Sequence, residues 1–538
     1  MSQPKADNPA PEKKTSEEEE EQPRSPREIR LVMVGLVVTM LLAMLDGLIV
    51  GTAMPTIVGD LGGAEHLSWV VTSYTLATAA STPIWGKLGD LYGRKGTFLT
   101  SIVIFLVGSA LSGLSQNMNE LIGFRALQGL GAGGLMVGVM SIMGALVPPR
   151  DRGKYQGMFA AVMALATIGG PLVGGFITDH LSWHWTFYIN LPLGAVALAV
   201  VMVTLKLPKV RSKARIDYLG AVLLTTGITA LTLITTWGGQ EYAWGSKQIL
   251  GLAALAAATL IAFCYVEQRV QEPMLPLGLF KNLNFTLVSI IGFVVGFVMF
   301  GSTVFLPLYQ QIVQGASATN SGLLLMPMMF GMLVVSLVVG QAVTKTGKYR
   351  IFPIIGTIVM TVGMVLLSTL STDTSSFVAS CWMVVLGAGM GFLMQITMLV
   401  AQNSVELKDM GVASSTATLF RTIGGSFGVA LFGALFNNRV AATMKDRLGE
   451  AAANGGGKGD PSQLSPAALK ALPAPVQDAY HHAVANGMHT VFLWGAGVAV
   501  VAVAAALFMR EVPLRGAGGP APEGDGKATE PNAEAVAI

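Results

Sequence analysis

The stretch LVMVGLVVTMLLAMLDGLIVGTAMPT, from Leu31 to Thr56, carries a single ionisable side chain, Asp46. A helix needs about 20 apolar residues, at about 1.5 Å each, to cross hydrocarbon. This run satisfies that length with one carboxylate inside it, and similar runs follow along the chain. They lie near 67–85, 98–115, 120–146, 156–178, 184–205, 217–237, 248–266, 285–310, 319–343, 351–371, 376–403, 412–436 and 488–509. The reading is an all-α integral membrane protein with about fourteen transmembrane helices. The chain is 52% hydrophobic and 12% charged, and a soluble domain carries about twice that charge. Its 64 glycines suit helices that pack closely in lipid.

Several classes are excluded. Cys264 and Cys381 both fall in apolar runs, which argues against a disulfide framework or a cysteine metal site. His481-His482 stand in a segment rich in Ala, Gly and Pro and read as solvated, so no metal and no cofactor are expected. There is no Gly-x-Ser-x-Gly elbow, no His-Glu-x-x-His and no phosphate loop, so neither an enzyme nor an ATP-driven machine is implied. The net charge of +3 carries no sign of nucleic acid.

The short loops set the orientation. One side holds Lys87, Arg94, Lys95, Arg150, Arg152, Lys154, the basic cluster Lys206 to Arg215, and Lys345, Lys348 and Arg350. Loops on the other side carry Asp60, Glu65, Glu120, Asp179 and Asp373. Both termini are therefore expected in the cytoplasm, with residues 1–30 and 511–538 as disordered tails. No cleavable signal is visible, because the first apolar run is too long for one.

Thr167-Ile168-Gly169-Gly170 recurs as Thr422-Ile423-Gly424-Gly425, and the Gly86/Gly93 pair recurs as Gly340/Gly347 at nearly the same offset. Two six-helix bundles are implied, 31–206 and 284–510, the second with an outer loop at 437–487. Residues 207–283 form an inserted two-helix hairpin with its flanking loops. Duplicated halves are typical of secondary transporters, whose substrate site lies between the repeats.

Ionisable groups inside spans are costly and functional by default. Asp46 lies about 22 Å from the basic end of its span, and Arg125 reaches a similar depth in the fourth. A carboxyl group reached by water first from one side and then from the other can carry a proton, and a permanent ion pair with Arg125 is the structural alternative. Arg421 is the comparably buried charge of the second half, serving either substrate or backbone carbonyls. No further carboxylate lies deep in a span. That argues for neutral or monocationic lipophilic cargo over dications.

The loop Gly86-Lys87-Leu88-Gly89-Asp90-Leu91-Tyr92-Gly93-Arg94-Lys95 resembles the signature loop of the major facilitator superfamily, with Leu91 in place of a basic residue. Gly86, Asp90, Gly93 and Arg94 then form a cytoplasmic latch that breaks as the halves rock. Three further stretches resemble the fourteen-span drug:proton antiporters of that superfamily. They are Leu45-Asp46 through Met54-Pro55, Arg125-Ala126-Leu127-Gln128-Gly129, and the fifth-span set Gly157, Gly170, Pro171, Gly174 and Gly175. The resemblance covers about 31–510. It implies the major facilitator fold, proton coupling through Asp46 and Arg125, and a close-packed fifth span that prevents leakage. Trp69, Tyr74, Gln128, Tyr309, Gln310, Gln395 and Arg421 are the candidate cavity residues, and the chain's 28 methionines suit an adaptable pocket.

The expected function is a monomeric multidrug efflux antiporter of the bacterial cytoplasmic membrane, moving small lipophilic substrates against protons. A dedicated exporter of one metabolite or antibiotic shares every motif. A non-transporting receptor is the reading from another class.

Overall fold

The computed structural model describes residues 26–61, 67–148, 152–205, 217–238, 241–270, 272–316, 324–406, 409–454 and 473–514. The first bundle contains α1 (Pro26–Leu61), α2 (Leu67–Tyr92), α3 (Arg94–Gly113), α4 (Met118–Leu146), α5 (Arg152–His180), the single turn α6 (Trp185–Tyr188) and α7 (Asn190–Thr204). The hairpin is α8 (Tyr218–Trp237) and α9 (Lys247–Glu267). The second bundle contains α10 (Leu283–Ile312), α11 (Met326–Thr346), α12 (Ile351–Ser368), α13 (Ser376–Asn403), α14 (Met410–Asn454) and α15 (Ala474–Leu507). No strand occurs among the described residues.

Among the described residues thirteen segments, with α6 and α7 taken as one, are long and apolar enough to cross a membrane. The expected span near 67–85 is α2, whose centre is rich in Thr and Ser. Those hydroxyls turn inward. Ser73 donates to the Ile122 carbonyl at 3.1 Å, Thr78 to Gly129 at 3.2 Å and Ser81 to Leu130 at 3.2 Å. Gly129 and Gly133 of α4 let α2 come this close, because a Cβ on either would run into the α2 backbone. Small residues and interhelical hydrogen bonds here do what apolar bulk does elsewhere. On the outer faces stand large apolar side chains such as Val203, Ile261, Phe377 and Phe508, as a lipid-facing surface requires.

The second bundle has a continuous core through α10–α15, whereas the first divides into two clusters near its two ends. The hairpin rests on the seam between the halves, where Leu224, Ile228 and Phe263 meet Ala79 of α2 and Val412 and Leu419 of α14. Gly93 and Gly347, matched by the repeat offset, both adopt positive φ, 97° and 68°. Glycine reaches that region without a Cβ penalty.

Three boundaries differ from expectation. Helix α1 starts at Pro26, inside the expected tail. Much of 437–487 is helical, because α14 runs on to Asn454 and α15 begins at Ala474. Alanine is the strongest helix former, so the Ala-rich composition that suggested a loop extends both helices. Residues 511–514 are held rather than free: Glu511 accepts from the Tyr349 and Arg350 amides at 2.9 and 3.1 Å. The remainder of both expected tails, 1–25 and 515–538, and the loop residues 455–472 lie outside the described residues.

Candidate functional site

Asp46, fully buried on α1, is the focus of a polar cluster inside the first bundle. Its Oδ2 accepts from Arg125 Nη1 at 2.6 Å, and its Oδ1 accepts from Gln128 Nε2 and Asn190 Nδ2, each at 2.8 Å. Arg125 Nη1 also donates to Gln128 Oε1 at 2.8 Å. The Tyr74 ring lies 4.1 Å from its guanidinium carbon, a cation–π contact. Asn190 continues the network to Ser109 at 2.9 Å, and Ser109 donates to the Phe187 carbonyl at 2.9 Å. The cluster thus ties together α1, α2, α3, α4, α6 and α7. A charge pair in hydrocarbon persists only with several such hydrogen bonds, and here Arg125 Nε and Asn190 Oδ1 are the cluster atoms left without a partner among the described residues.

Helix α5 completes the bundle by contact. A Cβ on Gly170 would strike Leu48, and one on Gly174 would strike Thr52 and Ile49, all on α1 just beyond Asp46. Gly175 faces open space. Gly157 and Pro171 lie on α5, but their side-chain surroundings fall outside the described residues.

The signature loop closes the end that carries the basic loops. Asp90 Oδ1 and Oδ2 accept from the Gly411 and Val412 amides at 3.0 and 2.9 Å, so the carboxylate sits on the N-terminus of α14 in the other half. Arg94 holds Asp90 from its own side at 3.1 Å. Burial pushes the Asp90 carboxyl up to about 6, against the opposing pull of Arg94 and the two amides. Gly86 lies against Gly411 and Ser415 with no room for a Cβ. Next to it, Lys87 reaches Glu272 beyond the hairpin at 3.1 Å. Gln402 of α13 donates to the Met140 carbonyl of α4 at 3.1 Å, a third bond between the halves.

A cavity lies between the halves. Eight of its twelve lining side chains are methionines, five from the first half and three from the second, and the others are Phe159, Ser336, Gln395 and Arg421. Of the candidate cavity residues, Gln395 and Arg421 line it. Tyr74 and Gln128 belong to the Asp46 cluster instead. Trp69 stacks edge-on with Trp237 of the hairpin at 5.4 Å. Tyr309 donates to the Ser371 carbonyl at 2.7 Å, and Gln310 contacts Met383 sulfur at 3.5 Å. Sequence reasoning missed Asn190 and Ser109. Their one available signal is polarity inside apolar runs, which the Gln and Tyr residues share.

Two bundles of membrane-crossing helices, with a cavity between them and hydrogen bonds joining them at one end, fit a membrane transporter. The Major Facilitator Superfamily family model matches residues 36–429, and the chain belongs to that family. It is 43% identical over 419 residues to the multidrug transporter protein MdtP of Bacillus subtilis, covering 78% of this chain and 77% of the relative. It is 38% identical over 488 residues to multidrug resistance protein 3 of the same species, covering 89% and 95%. Among solved structures, the proton:xylose symporter XylE superposes with a TM-score of 0.59 at 14% identity, over 90% of this chain and 96% of that one. The fold is shared at that distance.

Proposed function

We propose that the protein is a proton-coupled antiporter that exports small lipophilic compounds across the bacterial cytoplasmic membrane. In this reading both termini are cytoplasmic, the chain works as a monomer, and the latched end faces the cytoplasm. The observation that carries the reading is a buried carboxylate held by three donors from other helices, beside a methionine-lined cavity shared by both halves. A proton arriving from outside neutralises Asp46 and removes the charge that holds Arg125, loosening the helices tied through it. With that tie relaxed, the Asp90 cap on α14 breaks and the cavity turns to the cytoplasm. Release of the proton there restores the pair. Cargo moves outward on the alternate stroke.

The relatives named as multidrug transporters support a broad substrate range, as do the flexible methionine walls. Sequence pointed to neutral or monocationic cargo. The cavity argues against the cationic class, because no carboxylate lines it among the described residues. Asp46→Asn tests coupling in inverted membrane vesicles. Substrate-induced collapse of the pH gradient is expected to fall by about two orders of magnitude, while the variant remains inserted and folded. Full collapse by this variant would remove Asp46 from the mechanism.

A further inference from the structure

Arg421 projects from α14 into the cavity wall, and no hydrogen bond or ion pair reaches it among the described residues. Its backbone carbonyl lies tight against Gly296 of α10, which fixes the stem. The lining holds no carboxylate to neutralise it, and Asp46 is sealed away with its three donors. A guanidinium in an apolar span without a partner is a costly arrangement, kept where something else supplies the charge. A second polar group of the same wall is also half used. The Gln395 side chain, 5% exposed, donates its Nε2 to Ser336, and its Oε1, an acceptor, has no partner among the described residues.

We infer that the cavity takes lipophilic compounds bearing one anionic group, such as a carboxylate or phenolate, with Arg421 pairing to that group. This rests on the exporter reading above and names its substrate class. The first half supplies only apolar wall, five methionines and Phe159, for the hydrocarbon part of such a molecule. The second half supplies the charge. A guanidinium stays protonated in proteins and forks onto a carboxylate through two N–H groups. A lipophilic cation would meet only a like charge in low dielectric, so the same residue that recruits the anion rejects the cation.

The test uses the full chain in lipid nanodiscs and three matched probes: 4-(1-pyrenyl)butyrate, the corresponding alcohol and the corresponding trimethylammonium. Butyrate is expected to bind at least about tenfold more tightly than the ammonium probe, the effect of one charge-assisted hydrogen bond. In Arg421→Met the butyrate-to-alcohol affinity ratio is expected to fall to about one. Equal affinities of the native protein for all three probes would overturn the inference. Retention of the butyrate preference in Arg421→Met would overturn it too. Transport of the same probes in proteoliposomes separates the two readings. Movement of the alcohol driven by a pH gradient, with no preference for butyrate, overturns the anion site and leaves the exporter. Selective butyrate binding with no gradient-driven movement of any probe supports the site and overturns the exporter.

Discussion

The two halves each bury an arginine at mid-depth, and the two are treated in opposite ways. Arg125 is paired with Asp46, bonded to Gln128 and covered by Tyr74. Arg421 lines the cavity without a partner among the described residues. The internal repeat sharpens the contrast, because Arg421 immediately precedes Thr422-Ile423-Gly424-Gly425 where Ala166 precedes the first copy. A satisfied charge pair suits a switch operated by a proton, and an unsatisfied charge suits a docking point for a molecule that comes and goes.

The contrast breaks first on stability. Arg125→Met strands Asp46 as an unpaired carboxylate, and an unfolding free energy lower by about 3–5 kcal/mol is expected. Arg421→Met strands nothing, and a change within about 0.5 kcal/mol, or a gain, is expected. Thermal unfolding in the same detergent checks both, and equal losses would erase the distinction. A smaller effect sharpens it. Asn190→Ala removes one donor from the carboxylate while keeping Arg125, and a loss of about 1.5–3 kcal/mol is expected, with the pH profile of transport displaced. An unchanged profile would confine Asn190 to packing.

The smallest effect concerns the latch. Asp90, near 6 when latched, stands above the ordinary carboxylate value of 3.8, so the latched arrangement binds its proton more tightly than the released one. The resulting preference for closure is complete below about pH 4 and is lost as pH rises through 6. Spin labels at Tyr92 and Lys281 are expected to report a closed fraction about threefold to tenfold larger, relative to open, at pH 5 than at pH 7.5. The response is expected to vanish in Asp90→Asn. Persistence of the shift in that variant would place the titrating group elsewhere.

Much of this was readable before any coordinates. Hydrocarbon imposes a length on each span, so the spans could be counted, and depth alone brought Asp46 level with Arg125. The spacing of the repeated Thr-Ile-Gly-Gly marked out residues 207–283 as a separate piece, and α8 and α9 do pair there as a hairpin. The partners of Asp90 were not readable, since they are backbone amides 321 and 322 residues away and any sequence supplies amides. Asn190 was lost among other polar residues in apolar runs, because nothing local says which of them meet. The methionine cavity was equally silent, as a methionine on a packed face and one on a cavity wall look alike in sequence.

Helix α14 joins features described separately so far. Its 45 residues form a rod about 67 Å long that carries the Asp90 cap at Gly411, the cavity arginine at 421 and, further on, Arg447, which meets Asp478 of α15 at 3.4 Å. Pivoted near Arg421, its latch arm is about 15 Å long and its opposite arm, to Arg447, about 39 Å. A 2 Å swing where the halves unlock becomes about 5 Å at the distant tip. The long helix is a see-saw with unequal arms, and its far end is a natural place to attach a reporter.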